Sequence, residues 1–133
     1  MARSGIHTRR VAGPDEGLRE MAAAAAGKAR GEAGLAPDQV SLVLVTTMTN
    51  LHQVPPLAAK VAFRIGATGA GALDTGGGCA GFCYTLAVAA DAVRAGSARH
   101  VVVVGVERMT DIVDPADRGT AFLFGDAALA PAA

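Results

Sequence analysis

Residues 74–86 read DTGGGCAGFCYTL, and the order of elements through this stretch decides the fold. A short apolar run, Ala70 to Asp74, precedes it; three consecutive glycines, Gly76 to Gly78, interrupt it; a helix-forming segment from about Ala80 to Ala95 follows. Strand, sharp turn and helix in that order are the unit of a parallel α/β sheet. The turn carries Cys79. A cysteine at a helix N-terminus meets N–H groups of partial positive charge, which favour the thiolate. Flanking glycines permit a tight turn that leaves the sulfur accessible. Backbone N–H groups at such a turn suit the oxyanion of a thioester adduct. The arrangement is a thiol counterpart of the strand–turn–helix nucleophile elbow.

The same residues allow two other readings. Gly76, Gly78 and Gly81 fit G-x-G-x-x-G after a strand and into a helix. Glu107, closing the next strand, stands about where a dinucleotide-binding fold places its ribose-binding acid. Against this, the fingerprint strand usually opens such a fold, whereas here two helices and a strand come first. In the third reading Cys79 and Cys83 are small core hydrophobes, a common fate of free cysteine.

Outward from the turn, helix and strand alternate. Residues 15–33 form a helix opened by Pro14 and Asp15 and stopped by Gly34. Ser41 to Thr47, SLVLVTT, is a buried strand. Residues 49–54 form a polar loop, and Pro55-Pro56 opens a helix to Ile65. His100 to Val106, HVVVVGV, is apolar throughout, as strands covered on both faces are. The loop ERMTDIVDPADRG leads to a last strand, Thr120 to Ala128. The expected fold class is α/β, a largely parallel sheet between helices, with residues 1–133 forming one domain or part of one.

The composition fits. Half of the chain is apolar, with few aromatic residues and 17 glycines. Twelve basic residues balance twelve acidic ones, so no strong field recruits nucleic acid or an anionic membrane. No stretch has the roughly 20 apolar residues of a membrane span, and the N-terminus carries no apolar core of a secretory signal. Two cysteines make no disulfide framework, so a reduced, cytoplasmic location is expected. No metal site is expected: Asp114, Asp117 and Asp126 are spaced for turn-making. Met21, Met48 and Met109 read as core or loop packing. Arg64, Arg94 and Arg99 read as helix-end or solvated cations, and His52 and His100 as surface or strand-edge residues.

Three segments resemble one family. Asp74 to Leu86 is similar to the active-site segment of the β-ketoacyl-(acyl carrier protein) synthase III family, in which C-A-G-F follows an apolar strand. DPADRGTAFLFGDAA, Asp114 to Ala128, resembles that family's D-P-x-D-R-G-T-x-x-x-F-G-D-G-A. SGIHTRRVAGPDE, Ser4 to Glu16, resembles its opening G-I-x-x-R-R-x-A-x-x-x-E. The spacing fits without insertion.

The resemblance implies the N-terminal half of a thiolase-like fold and an acyltransferase with a Cys–His–Asn set. In that family the cysteine takes an acyl group from acyl-CoA. Decarboxylative condensation with malonyl-acyl carrier protein follows, initiating fatty acid or polyketide synthesis. Carried over by position, Cys79 is the nucleophile, Arg3 helps bind CoA near the tunnel mouth, and Arg118 and Gly119 lie against the CoA adenine region. Acyl-CoA is a substrate, so no cofactor is expected. The implied partners are acyl-CoA, acyl carrier protein and, as a homodimer, a second copy.

Departures from the pattern matter too. The family's His and Asn lie in its second half, and its first strand and adenine-stacking Trp precede the position of Met1; no residue here matches them. Condensation by this chain alone is therefore not expected, and a half-domain pairing with a second chain is the alternative. GGG replaces an alanine-rich run before the cysteine. GDAALAPAA departs from G-D-G-A-G-A-A. Val54 stands where some members place a bulky Phe reaching the partner's acyl pocket, which hints at a wider starter pocket.

Overall fold

The computed structural model describes residues 4–131. Helix α1 spans Leu18–Glu32, strand β1 Leu42–Thr46, helix α2 Leu57–Arg64, strand β2 Gly71–Thr75, helix α3 Gly81–Arg94, strand β3 Val101–Arg108 and strand β4 Asp126–Leu129. One sheet runs in the order β2-β1-β3-β4. β1 pairs in parallel with β2 and with β3, and β4 pairs antiparallel with β3. The expected α/β class with a mostly parallel sheet is what the chain adopts.

Branching at Cβ explains the centre. Val43, Leu44 and Val45 of β1 and Val101 to Val104 of β3 are all buried. Valine side chains are stiff and pack well on a pleated surface, and both faces are covered here. On one face, Val43, Val45, Val102, Val104 and Val106 pack with α1 and α2; on the other, Leu44, Val101 and Val103 pack with α3. α1 buries Ala22, Ala26 and Ala29, which recur at helical spacing. Their small side chains bring the helix axis close to the sheet. The connection β1–α2–β2 therefore crosses one face and β2–α3–β3 the other, as right-handed crossovers in opposite directions require.

One expected element differs. Thr120 to Ala128 is not a strand throughout: pairing begins only at Asp126 and continues to Leu129. Residues 117–123 are instead wound into turns. The Asp117 carboxylate accepts from the Gly119 N–H and the Thr120 hydroxyl, and the Asp117 carbonyl accepts from the Ala121 N–H at 2.9 Å. These local bonds give the backbone an alternative to a ladder. The apolar residues Phe122 to Phe124 then face a pocket and solvent rather than a sheet.

Asp126 secures the start of β4 and the N-terminal segment together. Its carboxylate accepts from the Ala12 N–H at 2.8 Å, the Thr110 N–H at 3.0 Å and the Thr110 hydroxyl at 2.7 Å. Burial acts to raise its pKa. The bonds from Thr110 and Ala12 and the charge of Arg108 outweigh burial and hold it below the usual carboxylate value.

Candidate functional site

Neighbouring strands β1 and β2 send their connections to opposite faces of the sheet, and crevices at the carboxyl ends of parallel strands form where that happens. A pocket of about 350 Å³ lies at this end. Thr46 comes from the end of β1, Met48 from the loop beyond it, and Gly105 to Glu107 from β3. Gly78, Cys79 and Phe82 come from the turn into α3, and Leu123 to Gly125 from the turns before β4.

Local chemistry places Cys79. After β2 the chain passes Gly77 at φ +112°, a conformation L side chains rarely adopt, and Gly78 at φ +53°. A short 3₁₀ turn, Gly78–Ala80, then runs into α3. The turn folds so closely on the sheet that a Cβ at Gly81 would meet Thr46 Oγ1 at 2.5 Å and the Gly76 carbonyl oxygen at 2.9 Å. Cys79 thus sits immediately before the first turn of α3, exposed and lining the pocket. The Ala80 N–H bonds the Gly77 carbonyl and the Gly81 N–H the Gly78 carbonyl, so neither is free for an oxyanion. Cys83 is also exposed but does not line this pocket. Neither cysteine is the core hydrophobe that one reading of the sequence allowed.

Around the pocket, two carboxylates fasten the loop between β1 and α2. Asp74 of β2 accepts from the Leu57 and Ala58 N–H groups, each at 2.7 Å, and so caps α2 from another strand. Pro56, at the N-cap position of α2, offers no side-chain bond of its own. Glu107 accepts from the Met48 N–H and from the Thr47 and Thr49 hydroxyls. Those bonds occupy the residue that the dinucleotide reading assigned to a ribose.

The other sequence candidates are dispersed. Arg118 and Gly119 lie on the exposed turn after Asp114, a few residues before the Leu123–Phe124 wall of the pocket. Arg118 has no ion-pair partner among the described residues. Arg3 lies outside the described residues. Val54 is 88% exposed on the loop before α2. Met109 is buried and Met48, in its loop, is about half exposed; both line the pocket. Asp114 and Asp117 accept backbone N–H groups two residues on, as turn-makers do. Sequence reading missed Thr46, Phe82, Leu123 and Phe124 as pocket residues; the apolar FLF run was the available signal, read there as strand.

A thiol at the head of a helix, at the carboxyl ends of the parallel strands, thus opens on an apolar pocket of this α/β fold. Residues 73–132 match the family model of 3-oxoacyl-[acyl-carrier-protein (ACP)] synthase III. A β-ketoacyl-[acyl-carrier-protein] synthase III of Streptomyces lividans is 51% identical over 126 residues, covering 95% of this chain and 37% of that protein. A Streptomyces coelicolor synthase III is likewise 51% identical over 127 residues, covering 96% of this chain and 40% of its own length. Among solved structures, the priming β-ketosynthase of the R1128 polyketide pathway superposes with a TM-score of 0.97 at 49% identity. That match covers 99% of this chain and 40% of the other. The 3-oxoacyl-[acyl-carrier-protein] synthase III of Aquifex aeolicus gives 0.94 at 37% identity, covering 98% and 42%. The resemblance to the β-ketoacyl-(acyl carrier protein) synthase III family is thus a finding, and the chain spans about two fifths of the length of these relatives.

Proposed function

We propose that the chain is the N-terminal, acyl-accepting half of a β-ketoacyl-(acyl carrier protein) synthase III-type acyltransferase, acting in the initiation of fatty acid or polyketide synthesis. The observation that carries this reading is the position of Cys79, exposed at the head of α3 and opening on the apolar pocket at the carboxyl edge of the sheet. In the proposed step the Cys79 Sγ thiolate attacks the thioester carbonyl of acyl-CoA. A new carbon–sulfur bond forms, the tetrahedral oxyanion collapses, and the bond to the CoA sulfur breaks, releasing CoA thiolate. The apolar wall formed by Phe82, Leu123, Phe124 and Leu129 suits an acyl chain. Arg118 and Gly119, on the nearby exposed turn, are proposed to meet the CoA adenine end, where guanidinium groups suit phosphates and aromatic faces. Arg3 is assigned to CoA by resemblance alone. Decarboxylative condensation with malonyl-acyl carrier protein follows in the complete family enzyme and not in this chain alone; a homodimeric state and a cytoplasmic location complete the proposal.

The test is intact and peptide mass spectrometry after incubation with acyl-CoA. An acyl adduct on Cys79, kept in Cys83→Ala and absent in Cys79→Ala, is the expected result. An adduct on Cys83 alone, or none on either cysteine while iodoacetamide still alkylates Cys79, refutes it.

A second reading, a non-catalytic half-domain that pairs with another chain, is favoured by the exposed apolar side chains Tyr84, Leu86, Val88 and Val93 of α3 and Leu73 of β2. A concentration-independent monomer by size-exclusion chromatography with light scattering, melting cooperatively, would count against it. The dinucleotide reading loses ground on the commitment of Glu107 to Thr47, Met48 and Thr49.

A further inference from the structure

Glu107, next to last in β3, has both carboxylate oxygens engaged. Oε1 accepts from the Met48 N–H at 2.9 Å; Oε2 accepts from the Thr49 hydroxyl at 2.8 Å and the Thr47 hydroxyl at 3.2 Å. The Thr49 Oγ1 accepts from the Arg108 N–H at 3.0 Å, and the Thr49 N–H donates to Thr47 Oγ1 at 3.1 Å. A short turn after β1 is therefore fastened to the end of β3 by a closed set of bonds. Met48, in the middle of that turn, and Glu107 itself both line the pocket on which Cys79 opens.

We infer that Glu107 is a positioning residue of this pocket: through the Thr47–Thr49 turn it sets the Met48 wall past which an apolar chain reaches Cys79. The inference rests on the proposed reading of the pocket as an acyl site. Hydrogen bonds to a charged acceptor are among the stronger ones, and three donors converge on this one. An acid–base role fits the geometry poorly, because every donor around the carboxylate is already bonded to it. Glutamine discriminates the two roles. Its Oε1 can keep the Met48 N–H, and its NH₂ can donate to threonine hydroxyls, which also accept. Shape is kept while charge is removed.

The experiment uses the full chain with two readouts. One is hydrogen exchange of the Met48 amide by NMR. The other is the alkylation rate at Cys79 relative to Cys83, by peptide mass spectrometry, with iodoacetamide and with its N-hexyl derivative. The expected result is that Glu107→Ala lowers Met48 protection by about tenfold or more, as loss of a hydrogen bond to a charged group does, and abolishes the preference of the hexyl reagent for Cys79. Glu107→Gln keeps protection within about threefold, short of the roughly tenfold or more of a lost charged bond, and keeps the hexyl preference. If Glu107→Ala does not fold, Thr47→Val, which removes one donor and leaves the carboxylate, should shift both readouts in the same direction. Unchanged Met48 protection in Glu107→Ala, or in Thr47→Val where that variant stands in, overturns the inference. Normal Met48 protection in Glu107→Gln with a collapse of Cys79 reactivity to both reagents also overturns it, in favour of a role for the charge. A wild-type chain with no hexyl preference at Cys79 refutes the acyl-pocket reading instead, and the Met48 amide then still decides whether Glu107 holds the turn.

Discussion

Replacing Gly81 by alanine places a methyl group where the turn into α3 meets the sheet. An ideal Cβ there lies 2.5 Å from Thr46 Oγ1 and 2.9 Å from the Gly76 carbonyl oxygen. The Thr46 side chain is buried at the end of β1, and the Gly76 oxygen is backbone, so neither yields cheaply. Overpacking of this kind costs roughly 1–3 kcal/mol. Against that, alanine is the better helix former by at most about 1 kcal/mol, and by less at a first helical residue. The net expectation is a loss of about 1–2 kcal/mol, which for a chain of this size lowers Tm by roughly 3–8 °C. Gly31 is the matched control: it lies within α1 and a Cβ there meets nothing within 4 Å, so Gly31→Ala should raise stability by about 0.5–1 kcal/mol. The assay is urea unfolding followed by circular dichroism, with thiol alkylation of Cys79 alongside. Gly81→Ala should also alter Cys79 alkylation while leaving Cys83 within about twofold, less than 0.5 kcal/mol in free energy. A Gly81→Ala protein as stable as wild type, beside a stabilised Gly31→Ala, would refute the packing argument. Adding Thr46→Ala relieves only the first contact and should restore only part of the loss.

Further expectations concern the carboxylates. Asp126 has a folded pKa below its unfolded value, despite burial, because of its bonds from Thr110 and Ala12 and the charge of Arg108. Its stabilisation is thus complete above the unfolded value of about 3.9 and is lost as pH falls through the lower, folded value. Asp126→Asn should flatten the acid limb of stability against pH and cost about 2 kcal/mol at neutral pH, since one amide oxygen cannot serve all the donors. Asp74→Ala should cost about 1 kcal/mol by uncapping α2, read as a lower urea midpoint with unchanged m. Glu20, whose pKa is lowered first by the hydrogen bond from Arg19, keeps about a third of its side chain exposed beside Arg19 and Arg64. Glu20→Gln should leave the urea midpoint within experimental error.

Much of the fold was legible because period and punctuation agree with it. HVVVVGV announced β3, Pro14, Asp15 and Gly34 announced the bounds of a helix over α1, and DTGGGCAG announced the turn that exposes Cys79. The error at Thr120 to Gly125 has a definite cause. An apolar FLF run reads alike whether it lines a pocket or a sheet, and Asp117 settles the matter through bonds to its own next turn. The pocket-lining place of Met48 was not legible either, since a methionine in a loop carries no sign of facing a cavity. The roles of Asp74 and Glu107 were out of reach of local pattern. Their partners lie 16 or 17 and 58 to 60 residues away, and only the sheet order brings them together.

The grip on residues 47–58 also dictates an order of events. This segment leaves β1 directly, yet it is held at one end by Glu107 of β3 and at the other by Asp74 of β2. Each bond set closes only once its own strand has docked, β2 for the Asp74 end and β3 for the Glu107 end, and contacts between distant parts of a chain form only after the intervening loop has been closed. In a nascent chain the Met48 wall is accordingly among the last features to settle. In the mature protein it is among the first released when the end of β2 or β3 frays, so exchange of the amides from Met48 to Ala58 should report openings far smaller than global unfolding.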